Sequence, residues 1–264
     1  MPGVPYAFAH PLAVLPLPRL LGRCAVPSAL VIGSVVPDVW YFLPTLARHH
    51  SHGVAGLFVF CLPTGLLMYA AFHLIFKEPL LALAPGTLSA RLRGFTCDRL
   101  PAAPWPAVAA SVAAGALTHL AWDALTHSDL PYLDAMVASL AGYDVRVHQL
   151  LQHGSTVLGT ALLGSWAWSK LRAATPVAPV PAASQRARVA IIGLFVMLAA
   201  IAACGVAMAM PWSGLQGVRL MLRAAGITSL STLGLAVLAY CVLWRLPRYR
   251  RLMGGSSLHP DAMA

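Results

Sequence analysis

The chain has 264 residues, of which 59% are hydrophobic and only 10% are charged, and its mean hydropathy is +0.73. This balance excludes an ordinary soluble domain and is typical of a polytopic membrane protein. The formal net charge of +10 does not indicate nucleic-acid binding, because the basic residues lie in short clusters between apolar runs, as the positive-inside rule predicts. The five cysteines show no CxxC spacing and predict no disulfide framework.

The N-terminal apolar segment is short and broken. Residues 26–37 (VPSALVIGSVVP) are too few to cross a bilayer comfortably, and the four prolines within 11–27 suit short helices. We predict a re-entrant helical hairpin over 10–37, which would place His10 and Asp38 together on the outward side. If 26–37 crossed the bilayer instead, His10 would lie on the cytoplasmic side. The hairpin has a cost of its own, because it places Arg19 and Arg23 near its buried tip.

Longer apolar runs predict the membrane spans, since about 20 apolar residues cross a bilayer. The sequence predicts five spans, at 54–76, 105–127, 147–169, 189–210 and 225–244. Basic clusters follow the first, third and fifth spans and predict cytoplasmic loops there, while the acidic loop after the second span is predicted to lie outward. We therefore predict an all-α, polytopic transmembrane helical bundle, passing the cell membrane several times, with its histidine-rich ends on the outward side.

Composition also predicts a division of the chain. The Pro/Ala-rich stretch AATPVAPVPAASQRA has no helical period and separates the histidine-bearing part from two plain apolar helices. The predicted regions are a histidine/aspartate-bearing membrane domain at 1–170, a linker at 171–187, a two-helix transmembrane scaffold at 188–245, and a basic flexible tail at 246–264.

The stretch GALTHLAWDALTH (115–127) carries a polar stripe inside an apolar helix. His119, Asp123 and His127 lie four residues apart and therefore share one helix face. A carboxylate in lipid costs several kcal/mol, so Asp123 is expected to face the bundle interior and to have a partner there. By itself the stripe predicts a metal site and a structural polar network about equally.

The predicted topology brings further histidines and an aspartate to the same depth. Asp38 and His52 border the loop before the first span, and His148 and His153 lie in the first turns of the 147–169 segment. Imidazole nitrogens and carboxylate oxygens are the ligands of zinc and related divalent ions, so this convergence favours a metal site. A general base there would be an aspartate or a hydroxide held by the ion, because the only glutamate lies in a cytoplasmic loop.

The remaining histidines of the membrane region have simpler interpretations. His73 lies near the cytoplasmic end of its span and is predicted to be a hydrogen-bonded packing residue. His49 and His50 are predicted to be loop residues.

Several motifs together resemble a known family. PDVWYF, SHGVAGLF, GALTHLAWDALTH and LLQHGSTVLG, in that order after AHPLAVLPL, resemble the bacterial integral-membrane domain-of-unknown-function family 4184, which is related to the membrane-bound metal-dependent hydrolases. The resemblance covers about residues 5–170 and depends on the combination of motifs more than on any one of them.

A more distant resemblance is to the zinc-dependent phospholipase C family, which has an all-helical soluble fold. That site uses an early histidine, an aspartate followed fourteen residues later by a histidine, and an HxxxD pair followed by another histidine. The resemblance implies metal ligands at His10, Asp38, His52, His119, Asp123 and His127. The family's final HxxxE motif is incomplete here, because His148 is followed by Gln152 in place of a glutamate. His153 is a candidate substitute ligand.

These interpretations predict a membrane-embedded, zinc-type metal-dependent hydrolase that acts on a lipid or lipid-linked phosphoester. Asp38 and Asp123 are its candidate catalytic residues, and membrane lipid is the expected partner. A proton- or metal-coupled transporter and a structural membrane protein with a buried polar network remain as alternatives.

Overall fold

A computed structural model describes residues 9–42, 50–95, 103–126, 137–140, 143–178, 183–210 and 213–246. The helices of these parts are α1 (Pro11–Val14), α2 (Leu17–Leu21), α3 (Pro27–Gly33), α4 (Val54–Leu83), α5 (Gly86–Arg93), α6 (Trp105–Thr126), α7 (Val147–Ala173), α8 (Gln185–Ala209) and α9 (Gly214–Trp244). Short 3-10 helices at Gly22–Cys24 and Val36–Phe42 continue α2 and α3. The predicted all-α helical bundle is confirmed, with one small addition.

That addition is an antiparallel hairpin immediately before α7. Strands β1 (Val137–Leu140) and β2 (Tyr143–Arg146) pair so that Val137 lies opposite Arg146 and Leu140 opposite Tyr143. Because β2 ends where α7 begins, the hairpin leads directly into that helix.

Four helices of the described chain, α4, α6, α8 and α9, are long and apolar enough to cross a membrane. Four of the five predicted spans are therefore present, and the chain is a membrane protein. The remaining predicted span, at 147–169, corresponds to α7, which has 27 residues but falls short in hydropathy. Polar residues at its start (VHQLLQHGST) and basic residues in its last turn lower the hydropathy.

The chain forms two compact units. The first contains 1–70 and 101–173, and the second contains 71–100 and 174–264, so α4 passes from one unit to the other. The four regions predicted from the composition of the chain remain a prediction.

In the first unit, α3 and α6 approach each other backbone to backbone. A Cβ atom at Gly33 would collide with the carbonyl of Val112, and one at Gly115 would collide with the carbonyl of Leu30. Two apolar clusters flank this crossing and bury residues of α3, α4 and α6: Val26, Ala29, Tyr69, Val108 and Val112 in one, and Val36, Leu57, Cys61 and Ala116 in the other. Small residues at the crossing thus hold α3 tightly against α6.

The N-terminal segment reverses its direction within the first unit. Gly22, with φ of 57°, turns the chain after α2, and the amide of Val26 donates to Ser111 Oγ at 3.0 Å. Ser111 lies eight residues before His119 on α6, about 12 Å along the helix axis. The predicted helical hairpin is therefore present, with its turn fixed on α6 well away from His119.

The second unit packs α8 and α9 together with the C-terminal part of α4. Its core buries Ala82, Leu83, Phe195, Tyr240, Cys241 and Trp244. The hydroxyl of Tyr240 donates to the carbonyl of Pro79 at 3.1 Å, and Arg245 lies 3.9 Å from Glu78. These contacts join the last transmembrane helix to the end of α4.

Candidate metal centre

His119 and Asp123, the described members of the polar stripe of α6, are both buried. His119 is 0% exposed and Asp123 is 4% exposed, one helical turn apart. The surrounding alanine, valine and leucine residues form an apolar helix, so these two side chains can only be accommodated facing the interior of the unit. This burial agrees with the expectation that Asp123 faces the interior and has partners there.

The close approach of α3 and α6 fixes the orientation of His119. Because Gly33 and Gly115 let the backbones touch, the carbonyl oxygen of Ser34 reaches His119 Nδ1 at 2.8 Å. A carbonyl oxygen can only accept, so Nδ1 carries the proton and donates it. In the neutral ring the lone pair therefore resides on Nε2.

Two carboxylates surround that lone pair. His119 Nε2 lies 3.7 Å from Asp38 Oδ1 and 3.6 Å from Asp123 Oδ2, yet within the described chain it has no hydrogen-bond partner. An imidazolium donating to a carboxylate would close these distances to about 2.7–2.9 Å. A lone pair facing two acceptor-only oxygens is repulsive in a buried site, and a cation between them would remove the repulsion.

His52 reaches the same point from the segment before α4. The thiol of Cys61 donates to the carbonyl of Ser51 at 3.3 Å, and the hydroxyl of Ser51 shares a hydrogen bond of 2.8 Å with His52 Nδ1. These contacts direct Nε2 inward, 3.3 Å from Asp123 Oδ2 and 3.8 Å from Asp38 Oδ1. Among the described residues this nitrogen, too, is buried without a hydrogen-bond partner.

His10, at the start of α1, completes the cluster from the other end of the hairpin. Its Nε2 lies 3.6 Å from Asp123 Oδ1, and its ring stacks on His119 with centroids 3.8 Å apart. Two protonated rings in this arrangement would repel each other, so stacking favours at least one neutral imidazole. Since His10 and Asp38 both meet α6 here, the two ends of the hairpin return to one place, as predicted.

The spacing of these atoms fits a divalent cation. Ligands at about 2.0–2.1 Å from a tetrahedral ion lie about 3.3–3.4 Å apart, and the observed separations run from 3.3 to 3.8 Å. Two overlapping groups have ligand spacing in the described chain: His10, His119 and Asp123, and Asp38, His52 and His119. The donor set, a mixture of imidazole and carboxylate, is the one that zinc and related ions take.

Asp123 has a special position within the cluster because it presents its two oxygens to different histidines. Oδ1 faces His10, and Oδ2 faces His52 and His119. The single lone pair of His119 could bind only one ion, whereas the two oxygens of Asp123 could each contact a separate one.

The structure brings together five of the eight predicted ligands: His10, Asp38, His52, His119 and Asp123. His127 lies outside the described residues, as does His49. His148 is buried and His153 is exposed, and within the described chain neither belongs to a group with ligand spacing. The helix α7 contacts Ala9, the residue before His10, at Gly159, which is eleven residues beyond His148 and six beyond His153, or about 16 and 9 Å along the axis.

Sequence reasoning missed the residues that orient the ligands. The carbonyl of Ser34 and the hydroxyl of Ser51 form hydrogen bonds with the Nδ1 atoms of His119 and His52, and bonds of this kind orient metal-binding histidines. A backbone carbonyl leaves no mark in a sequence. Gly33 and Gly115 do, since glycine inside an apolar transmembrane helix indicates close packing.

Comparison with known proteins gives a family and nothing beyond it. No curated protein and no solved structure matches the chain. One family model matches residues 4–242, which include the whole cluster, and it is described as a domain of unknown function. With nearly the full described length matched, the chain belongs to the family of the domain of unknown function DUF4184.

Proposed function

We propose that the protein is a membrane-embedded, metal-dependent hydrolase of a bacterial cell membrane, related to the membrane-bound metal-dependent hydrolases, and that it acts on a lipid or lipid-linked phosphoester. The observation that carries the proposal is the buried lone pair of His119 Nε2, which faces two carboxylates without a hydrogen bond in the described chain. A divalent cation bound between these atoms would turn the repulsion into attraction and supports this proposal.

Each side chain then has a definite task. His52, His119 and the two aspartates hold the ion, which when bound supplies Lewis acidity and a nucleophilic water. Asp38 and Asp123 are the proposed catalytic residues, because their oxygens lie beside the ligand nitrogens and can accept the proton released by the attacking water. Ser34 and Ser51 keep the imidazoles in place during the reaction.

The position of the cluster suits a substrate anchored in a bilayer. Asp123 lies three residues before the end of α6, near one end of a 22-residue apolar helix. In our proposal this is the outward end, and the hairpin of α1 to α3 re-enters the membrane beside it. A lipid could then present its phosphoester laterally while its acyl chains stay in the membrane.

The first test measures metal. Protein purified in detergent is expected to contain stoichiometric zinc or another divalent metal by elemental analysis, and His119→Ala is expected to abolish it. His153→Ala, an exposed histidine of the same unit, is the matched control and should retain the metal. A wild-type protein without stoichiometric metal would refute the proposal.

The second test measures hydrolysis. Protein in vesicles of phosphatidylcholine with phosphatidylglycerol or phosphatidic acid is expected to release phosphate or a water-soluble phosphomonoester, detected by phosphorus NMR. The activity should disappear after chelation and in Asp123→Asn. A metal-loaded protein that leaves each of these lipids intact but carries zinc into vesicles would be a transporter instead.

A further inference from the structure

The face of α7 that points into the first unit is polar over its N-terminal half. Burial identifies this face: His148 and Gly159 are buried, and Gln152, Ser155 and Thr156 are half-buried. These positions recur every three to four residues and therefore form one stripe of the helix. We call His148, Gln152, Ser155 and Thr156 the polar stripe of α7.

The outer side of the helix is apolar beside Ser155 and Thr156. Val157 is 71% exposed and Leu158 is 62% exposed, although Gln149, His153 and Thr160 on the same helix are exposed too. A helix of a soluble protein buries its apolar side and exposes its polar side. From Ser155 to Leu158 this order is inverted, which is the pattern of a helix with lipid on one side and a polar passage on the other.

The stripe leads to the metal centre. A Cβ atom at Gly159 would lie 3.0 Å from the Cβ of Ala9, the residue before His10. Going from Gly159 toward the start of the helix, Ser155 lies about 6 Å, Gln152 about 10 Å and His148 about 16 Å away along the axis. The polar groups thus form a row that ends beside His10.

The hydroxyl groups of Ser155 and Thr156 can still accept hydrogen bonds. Ser155 Oγ and Thr156 Oγ1 both donate to the carbonyl of Gln152, at 3.2 and 2.7 Å. A hydroxyl that donates its proton still offers lone pairs, so both oxygens can accept hydrogen bonds from water or from a polar headgroup.

We propose that the polar stripe of α7 lines a water-filled path along which water and the polar headgroup of a membrane-borne substrate reach the His10–Asp123 cluster. The path accounts for the polar residues on the inner side of α7, opposite the exposed Val157 and Leu158. The nature of the headgroup rests on the proposed function, whereas the path for water does not.

The chain contains matched pairs for testing the path. Gln152 and Thr156 lie on the stripe, while Gln149 and Thr160 are exposed residues of the same type on the same helix. In the metal-loaded protein, Gln152→Leu and Thr156→Val are expected to slow zinc removal by the hydrophilic chelator EDTA about tenfold, because apolar constrictions expel water. Gln149→Leu and Thr160→Val should match the wild type, and all four variants should bind the same amount of zinc at equilibrium.

A second measurement works even if the protein binds no metal, so the two proposals can fail separately. After replacement of Cys97 and of the exposed Cys24 and Cys204 by serine, Thr156→Cys in vesicles is expected to react with a small charged methanethiosulfonate at least about tenfold faster than Thr160→Cys, since ionised thiols need water. Equal rates at the two positions, or equal effects of the paired chelation variants, would overturn the path. If the protein contains no metal but Thr156→Cys is still labelled faster than Thr160→Cys, the path is supported and the proposed hydrolase function is refuted.

Discussion

The two units use similar apolar helices in opposite ways. In the first unit, 39% of the most apolar stretch of α6 is buried, whereas only 6% is buried in α8 and 11% in α9 of the second unit. All of these helices are apolar enough to cross a membrane, so hydropathy does not distinguish them. The difference is that the apolar stretch of α6 contains His119 and Asp123. Both have to be shielded from lipid, and the hairpin, the segment before α4 and α7 pack around them.

Two buried histidines make the same point at residue level. His73 is 6% exposed in the second unit and has the ring of Phe72 beside it, 5.0 Å between centroids. His119 is 0% exposed in the first unit and meets carboxylates from two segments. Burial alone therefore does not distinguish the two histidines. The feature that makes His119 a candidate ligand is the pair of carboxylates beside its Nε2 atom.

The largest expected effect comes from removing the shared carboxylate. Asp123→Asn keeps the shape of the side chain but loses the charge that faces His10, His52 and His119. We expect the loss of bound metal by elemental analysis, with the helical content by circular dichroism unchanged. If this variant retained its full metal content, the ion would bind elsewhere, and the candidate ligands would no longer distinguish the first unit from the second.

Acidification should have the next largest effect. Imidazole ligands bind metal only when deprotonated, so protons compete with the ion and affinity falls as the pH falls. Between about pH 7.5 and about pH 5.5 we expect a loss of affinity of roughly a hundredfold or more, measured by competition with a chromogenic zinc chelator. A flat profile across this range would argue against histidine ligands.

Gly115→Ala should weaken the crossing that orients His119. The added methyl group collides with the backbone of α3 and is expected to destabilise the protein by about 1–3 kcal/mol, seen as a lower thermal unfolding temperature in detergent. Gly164→Ala on α7, where a Cβ meets nothing within 4 Å, is the control. An equal effect of both substitutions would mean that helix propensity, and not the crossing, is being measured.

Ser51→Ala should act on the metal without acting on the fold. The substitution removes the hydroxyl that lies 2.8 Å from His52 Nδ1, and the loss of such an orienting partner lowers metal affinity by about 10- to 100-fold. Ser51→Thr keeps a hydroxyl and tests for rescue. If Ser51→Ala retained wild-type affinity, His52 would be held by other contacts.

The smallest effect is expected in the second unit. His73→Leu removes a buried histidine that lies outside the groups with ligand spacing in the described chain, so its metal content should equal that of the wild type. A clear loss of metal by elemental analysis would make the second unit part of the site.

Much of the candidate site could be predicted because three of its ionisable residues, Asp38, His119 and Asp123, interrupt or border apolar segments. Asp123 in an apolar helix and Asp38 at the edge of an apolar segment require partners wherever they lie. The sequence groups His148 and His153 with them because both lie in the first turns of a predicted span that starts at the same depth. In the structure they lie about 16 and 9 Å along the axis from the contact of α7 with Ala9, a distance that helix packing sets.

The amino-acid sequence by itself determined that this is an all-α membrane protein and that His119 and Asp123 share one inward face, because hydropathy and helical period are local properties of the chain. Tertiary structure alone decided which distant residues meet them. The carbonyl of Ser34 orients His119 only because two glycines let α3 and α6 touch, and His10 and Asp38 arrive together only because the hairpin turns back. Such contacts depend on how closely backbones approach, and sequence periodicity does not encode that distance.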